Sequence, residues 1–164
     1  FDVGYSNESG LRELIQRAGS TMDQIELDVE RTLVDHFLQE VMKSNPKATY
    51  GELMIRSALE QGAVSTLLLS ESLNHRRVSF YCKDCKEAWE RTKLKNVENG
   101  KCPSCDSNQV YEDEEKSMDL IDNLSLLAGH TSAQVRLISL DTEEGATLSS
   151  AFGGIAALLR YPIS

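Results

Sequence analysis

The sequence predicts an α/β fold, a three-layer α-β-α sandwich around a mixed sheet, interrupted by a small cysteine-bearing β insert. Three observations carry this. Helical and strand-like periodicities alternate on both sides of residues 79–110. The stretches AVSTLLLS and GGIAALLRYP are short and apolar almost throughout, as strands covered on both faces are. All four cysteines fall within YCKDCKEAWERTKLKNVENGKCPSC, between Tyr81 and Cys105.

From the N-terminus, SNESGLRELIQRAG offers Ser6 or Asn7 as a cap and places Leu11, Leu14, Ile15 and Ala18 on one face. Gly19 then supplies a stop, so a first helix is expected there. Met22, Ile25, Val29, Leu33, Phe37 and Val41, with Val34, Leu38 and Met42 alongside, predict a second, long amphipathic helix that ends at SNPK. A third helix follows Tyr50-Gly51 and runs to Gln61, with Gly62 suited to the left-handed position past its end. AVSTLLLS follows as a buried strand.

Beyond the insert, YEDEEK reads as a charged hinge. EKSMDLIDNLSLLAGH is amphipathic through Met118, Ile121, Leu124 and Leu127 and predicts a helix. QVRLISL alternates as a strand does, with Val135 and Leu137 inward and Ile138 a further inward candidate. In DTEEGATLSSAF, Asp141 and Thr142 are cap candidates, and Glu143 and Glu144 fall in the first turn, where the helix dipole favours them. GGIAALLRYP closes the chain as a last strand, entered through a turn at Gly153-Gly154.

The insert is flanked by VSFYC and NQVYED, two strand-like arms expected to leave and re-enter the core side by side, and Asn99-Gly100 suggests a hairpin between the cysteine pairs. The cysteines follow Cys82-x2-Cys85, sixteen residues, then Cys102-x2-Cys105. A two-residue spacer lets both thiolates of a knuckle face one ion, and two knuckles complete a tetrahedron with Zn–S near ~2.3 Å. Two disulfides and a redox dithiol are the competing chemistries. The lack of any secretory feature argues against the first, and the doubled motif is more economically one cage than two redox centres. One zinc ion on Cys82, Cys85, Cys102 and Cys105 is therefore expected, in a closed and structural site. A segment this short buries too little apolar area to fold alone, so the ion would supply most of its stability. Trp89, the single tryptophan, is a candidate to cover the metal site or the seam with the core, but plain packing is the favoured expectation. The expected division is a core of residues 1–78 and 111–164 and a zinc-binding β mini-domain at 79–110.

The 164 residues carry a net charge of −9, unevenly spread. Residues 79–110 hold six basic and five acidic side chains, whereas the remainder sums to −10. A surface so acidic repels phosphate backbones, leaving only a local nucleic-acid contact through the insert. No apolar run approaches the ~18 residues of a membrane span, and no signal peptide is evident, so a cytoplasmic protein without membrane contact is expected. Because it opens on Phe1 rather than Met, the chain is expected to be a piece of a longer polypeptide. P-loop, GxSxG, HExxH and Rossmann patterns are missing, and His36, His75 and His130 are scattered, so no enzymatic activity is expected.

Three stretches, DVGYSNESGLRELIQRAG, YGELMIRSALEQGAVSTLLLSESL and DTEEGATLSSAFGGIAALLRYP, resemble the C-terminal domain of archaeal and eukaryotic class-1 peptide chain release factors. AFGGIAALLRY is also similar to the ribosome-rescue factor Pelota, while the opening DVGYSNESGL and the long insert favour the release factor. Four cysteines in that insert resemble the archaeal version. The resemblance implies a fold like that of the ribosomal proteins that bind RNA kink-turns. It also implies that codon reading and peptidyl-tRNA hydrolysis belong to upstream domains of the same polypeptide. The implied partners are a Tu-type translational GTPase, the ribosome and the ribosome-recycling ABC-type ATPase. Carried over onto this sequence, the implied docking residues are Leu38, Tyr50, Phe152, Gly153, Gly154, Arg160 and Tyr161. The mini-domain is implied to face the small ribosomal subunit, with Lys93 and Lys95 as candidate ribosomal RNA contacts. A Pelota-like rescue factor and a kink-turn-type RNA binder are the alternative readings.

Overall fold

In the computed structural model, which describes residues 7–163, helix α1 (Asn7–Val41) leads into strand β1 (Ala48–Tyr50), helix α2 (Glu52–Glu60) and strand β2 (Val64–Ser70). Three strands follow, β3 (His75–Cys82), β4 (Ala88–Leu94) and β5 (Val110–Asp119), then helix α3 (Leu120–Gly129), strand β6 (Gln134–Ile138), helix α4 (Glu143–Phe152) and strand β7 (Ile155–Leu159). The core sheet has the order β1-β7-β2-β6; β7 runs antiparallel to both neighbours, and β2 and β6 are parallel.

Strand alternation sends successive side chains to opposite faces, and the sequence fills both. Leu67, Leu69, Ile155, Ala157 and Leu159 pack against Ile55, Ala58 and Leu59 of α2 and Leu120, Leu124 and Ala128 of α3. Leu68, Ala156 and Leu158 face the other way, onto Val34 and Phe37 of α1 and Leu148 of α4. The three-layer sandwich is thus built from one central run, TLLLS, that is apolar on both sides. Each such leucine contributes about 1.5–3 kcal/mol by leaving water.

The second sheet is an antiparallel three-stranded lobe in the order β4-β3-β5. The two arms expected from the sequence do lie side by side, with Ser79, Phe80, Tyr81 and Cys82 opposite Asp113, Glu112, Tyr111 and Val110. The pairing continues from β3 at His75 and to β5 at Asp119, which carries the chain from β2 out to the lobe and back to α3.

Several expectations are corrected. Gly19 does not stop a helix: α1 runs through it unbroken. A glycine ends a helix only where it turns left-handed; here the Thr21 hydroxyl donates to the Arg17 carbonyl at 2.9 Å across the expected break. Ser6, one cap candidate, lies outside the described residues. The third helix is preceded by β1, a three-residue strand too short to show a periodicity. The helix expected from Glu115 begins at Leu120, because Met118 and Asp119 are held extended opposite Arg77 and Arg76. YEDEEK is strand rather than hinge, although the register jumps from Ser79↔Asp113 to Arg77↔Met118 and throws residues 114–117 into a bulge. Ser117 closes it, accepting from Ser79 N (3.2 Å) and donating to the Asp113 carbonyl (2.8 Å). Asn99-Gly100 makes no hairpin, since β3 lies between β4 and β5; the tight return is at Cys82–Glu87, between β3 and β4. Finally, Leu137 is half exposed while Ile138 is fully buried: successive residues of edge strand β6 point to opposite faces, and Ile138 is the one that joins the cluster under α1 and α4.

The α4 entry follows the sequence closely. Thr142, not Asp141, is the cap, its Oγ1 accepting from Gly145 N at 2.9 Å. A Cβ on Gly145 would lie 1.9 Å from the Ser139 carbonyl oxygen. Gly145→Ala must therefore push the 139–142 loop off the helix, and is expected to lower stability by about 2 kcal/mol. A urea midpoint measured beside the surface control Ala146→Ser checks this. The helix ends at Gly153 (φ 69°), and Gly154 (φ 79°) follows in the same left-handed region, as the expected turn requires.

Candidate functional site

The two cysteine knuckles are built alike. In the first, Cys82 N donates to the Glu87 carbonyl and Lys86 N to the Cys82 carbonyl, each at 2.9 Å, with Lys86 at φ 65°. In the second, Cys102 N donates to the Ser107 carbonyl and Asp106 N to the Cys102 carbonyl, again at 2.9 Å, with Asp106 at φ 58°. Each loop thus curls back four residues after its first cysteine and turns both thiols to the same side. The Ser107 hydroxyl donates to the Asp84 carboxylate and ties one loop to the other.

The four Sγ atoms lie within 4.8 Å of one another, with Cys82–Cys105 at 3.6 Å and Cys85–Cys102 at 3.5 Å. A regular tetrahedron of sulfurs at ~2.3 Å from an ion has edges of ~3.8 Å, so the donor set fits a single tetrahedral metal. All four cysteines are free, and these separations far exceed the ~2.05 Å of a disulfide. Cys82 and Cys102 are buried and Cys85 and Cys105 exposed, so one thiol of each knuckle anchors the lobe interior and one faces outward. Burial raises the Cys102 thiol, but the backbone N–H groups of Cys105 and Ser104 and the neighbouring thiols outweigh it and bring it down to about 7. The Ser107 N–H lowers Cys105, but burial and the other three thiols prevail and push it up to about 12. Cys102 thus gives up its proton readily while Cys105 holds its own against the crowding of its neighbours, a penalty that a bound cation removes.

Trp89 stacks on Phe80 across β3 and β4, centroids 5.6 Å apart, and packs the lobe's own sheet. The seam with the core is a polar clamp that sequence reasoning missed. Glu52, at the start of α2, accepts from Arg56 Nε (2.9 Å) and from the Thr92 hydroxyl and lies 3.6 Å from Arg77 Nη1. Arg56 Nη2 also donates to Asn123 Oδ1 (2.7 Å), and Arg77 Nη1 to Thr92 Oγ1 (3.2 Å). One carboxylate so joins α2, β3 and β4, and Arg56 extends the clamp to α3. Its partners are far apart in the chain, and no local motif marks them.

Of the other sequence-predicted residues, the structure brings Tyr50 and Phe152 together. Phe152 is wedged edge-on between Phe37 (5.1 Å) and Tyr50 (5.0 Å), with Leu38 half-buried in the same apolar cluster. Tyr50 is 48% exposed, and Leu53, the second residue of α2, is 84% exposed. Gly153 and Gly154 form the turn beside Phe152. Arg160 and Tyr161 lie at the other end of β7, where Arg160 Nη2 donates to the Thr131 carbonyl (2.8 Å) and Tyr161 Oη to the Gln61 carbonyl (3.1 Å). Lys93 Nζ donates to Val97 O and Asn99 Oδ1 (both 2.9 Å) and sits 3.6 Å from Glu112; Lys95 pairs with Asp119 at 3.1 Å. Among the described residues, no helix is long and apolar enough to cross a membrane.

Fold and thiol cluster together define a class: an α/β sandwich domain carrying a β lobe with a four-cysteine cluster able to hold a metal, seated on a polar clamp. Residues 27–163 match the model of the family described as eRF1 domain 3, and the chain belongs to that family. Peptide chain release factor subunit 1 of Archaeoglobus fulgidus is 42% identical over 161 residues, 98% of this chain and 39% of that protein. The chain thus spans about two fifths of the length of that relative. The solved C-terminal domain of a peptide chain release factor from Methanosarcina mazei superposes with a TM-score of 0.81 at 37% identity, covering 96% of this chain and 98% of that one. What matches is therefore a non-catalytic, C-terminal domain of archaeal release factors. A structure described as ribosome-bound archaeal Pelota and ABCE1 shares the fold, with a TM-score of 0.57 and 22% identity over 95% of this chain and 33% of that one.

Proposed function

We propose that this chain is the docking module of an archaeal translation termination factor, working in the cytoplasm. Its core grips a Tu-type elongation GTPase, and its lobe, residues 79–110, is held by one structural zinc ion and points toward the ribosome. When bound, the zinc supplies a closed four-thiolate crosslink and no open coordination position. The observation that carries the docking reading is the aromatic run Phe37–Phe152–Tyr50, which starts in the core and surfaces at Tyr50 beside exposed Leu53. An aromatic anchored from below and open above is the kind of residue on which interface energy concentrates. Gly153 and Gly154 let the chain turn beside Phe152, while Arg160 and Tyr161, exposed beyond the far end of buried β7, would be a separate contact of the same partner. Lys95 is the more open of the two proposed ribosomal RNA contacts of the lobe, since the Lys93 ammonium is largely buried among Val97, Asn99 and Glu112.

Two further partners fit. The recycling ABC-type ATPase is supported by the fold shared with the Pelota described as bound to the ribosome with ABCE1. Upstream domains of the same polypeptide are supported by the length of the release-factor relatives and by α1, whose first half leaves Leu11, Leu14, Met22 and Ile25 exposed.

The test is calorimetric titration of an archaeal Tu-type GTPase with this chain. Tyr50→Ala is the clean variant, because Phe152→Ala would also open a hole against Phe37. Tyr50→Ala is expected to weaken the complex at least tenfold, with the urea midpoint nearly unchanged. Equal affinities for Tyr50→Ala and the parent chain would overturn the docking face.

A further inference from the structure

One edge of the core sheet is β6, and among the described residues no strand pairs with its outer side. Alternate residues of such a strand turn their N–H and C=O groups outward, a row of unused donors and acceptors. Helix α1 crosses one face of the sheet, from β1 and β7 near its C-terminal end to the end of β6, and continues past it. Its apolar stripe records the crossing: Phe37 and Val34 are fully buried, whereas Val29, Ile25 and Met22 are 38%, 56% and 64% exposed. The helix therefore overhangs the position that a fifth strand would take.

Ile25 and Val29 of α1 and Val135 and Leu137 of β6 wall a groove of about 520 Å³ along this edge. Glu30 sets its width, accepting from Ser139 N (3.2 Å) and Ser139 Oγ (3.0 Å) and so tying α1 to the chain that leaves β6. Past Leu137 the groove continues between Asp23, Glu26, Glu30, Glu71 and Asp141. Among the described lining residues the only cation is Arg136. Arg31, the next cation along α1, is taken up by Asp28 and Glu144.

We propose that β6 is the docking edge for an extended segment of a partner protein, added as a fifth strand. Its alternate apolar side chains lie under Ile25 and Val29, and lysines or arginines at one end meet Glu71 and Asp141. Main-chain hydrogen bonds supply the affinity, and the alternate side chains the specificity. Charge chooses the occupant. A second copy of this chain would bring the same five carboxylates to each side of the joint, whereas a basic segment neutralises them. In this arrangement the segment covers Ile25, and the upstream domains cover Leu11 and Leu14, earlier on α1 and outside the groove. Tyr50 lies on β1, the opposite edge of the sheet, so both edges can be occupied at once.

The test titrates the chain into two fluorescein-labelled peptides and reads anisotropy at low salt. Both share an alternating valine–threonine run; one is flanked on both sides by lysines and the other by glutamates, so either strand direction is served. The lysine peptide is expected to bind at least about tenfold tighter than the glutamate peptide. It is also expected to slow hydrogen exchange at alternate amides of β6 and leave β1 unchanged. Ile25→Gln removes the apolar wall at an exposed position without changing charge, and is expected to weaken the lysine peptide about fivefold. Glu71→Lys is expected to narrow the preference between the two peptides. The proposal is refuted if the two peptides bind equally or not at all, if no β6 amide slows, or if Ile25→Gln binds as the parent chain does. Self-association that Ile25→Gln abolishes, seen by sedimentation equilibrium, would give the edge to a second copy. Failure of a longer factor, carrying its upstream domains, to bind the lysine peptide would give it to that same polypeptide; either result overturns the proposal. Tyr50→Ala leaves peptide binding unchanged and Ile25→Gln leaves the GTPase complex unchanged, so the two docking edges fail separately.

Discussion

Stripping the metal with a strong chelator is expected to melt the outer lobe and leave the sandwich folded. Amides of β4, of the two knuckles and of the outer halves of β3 and β5 lose protection from hydrogen exchange. Those of β2 and β7 keep theirs. The two parts differ in what holds them. The core has two apolar clusters, one on each face of its sheet, neither of which includes a residue from the knuckles. The outer lobe has one partly covered stacked pair, Phe80–Trp89, one solvent-open pair, Tyr81–Tyr111, and the four thiols. A structural zinc contributes on the order of 10 kcal/mol to such a fold at neutral pH, more than those two aromatic pairs can replace. Cys102→Ser, which removes a buried ligand, is expected to have the same effect as chelation. Acid acts in the same direction. The thiols are ionised in the metal-bound fold but mostly protonated in the unfolded chain, whose free cysteines have pKa values near ~8.5. Folding with metal therefore releases protons, and lobe stability is lost as the pH falls. If chelator left lobe and core equally protected, or melted both together, this division of labour would be wrong.

Glu52→Ala is expected to free the lobe from the core without emptying the metal site. Glu52 is the shared acceptor for Arg56 and Thr92 and the counter-charge to Arg77, so its loss removes the joint between α2 and β4 at one stroke. About a fifth of each charged side chain stays exposed to water, which moderates the cost. A charge-assisted hydrogen bond of this kind contributes about 2 kcal/mol, below the 3–5 typical of a fully buried pair broken on one side. Residual dipolar couplings should then show the lobe reorienting against the core, with one zinc per chain retained; Glu52→Gln, which still accepts hydrogen bonds, should lie between. An unchanged orientation in Glu52→Ala would mean that the β3 and β5 connections alone set the angle. The clamp matters because Tyr50 lies two residues before Glu52: a GTPase seated on Tyr50 abuts the carboxylate that aims the lobe.

The parts of this molecule written in local pattern were legible in the sequence. TLLLS and IAALL announce strands covered on both faces, Thr142 and Gly153 mark the ends of α4, and the doubled CxxC marks the thiol cluster. What escaped was set by pairing across distance. Gly19 looks like a stop only until the hydrogen bonds across it are seen, and Asn99-Gly100 resembles a hairpin until β3 is found between the strands it would join. Tyr81 and Tyr111 are thirty positions apart and meet only through strand register. Glu52, Arg77, Thr92 and Asn123 become one clamp only when lobe and core are docked.

The central claim is that four thiolates fold the lobe around one ion. X-ray absorption at the zinc edge of the purified chain tests it most directly. The expected spectrum is one zinc per chain with four sulfurs at about 2.3 Å. A first shell containing nitrogen or oxygen, or a metal-free chain whose lobe amides are as protected as in the zinc-loaded one, would contradict it.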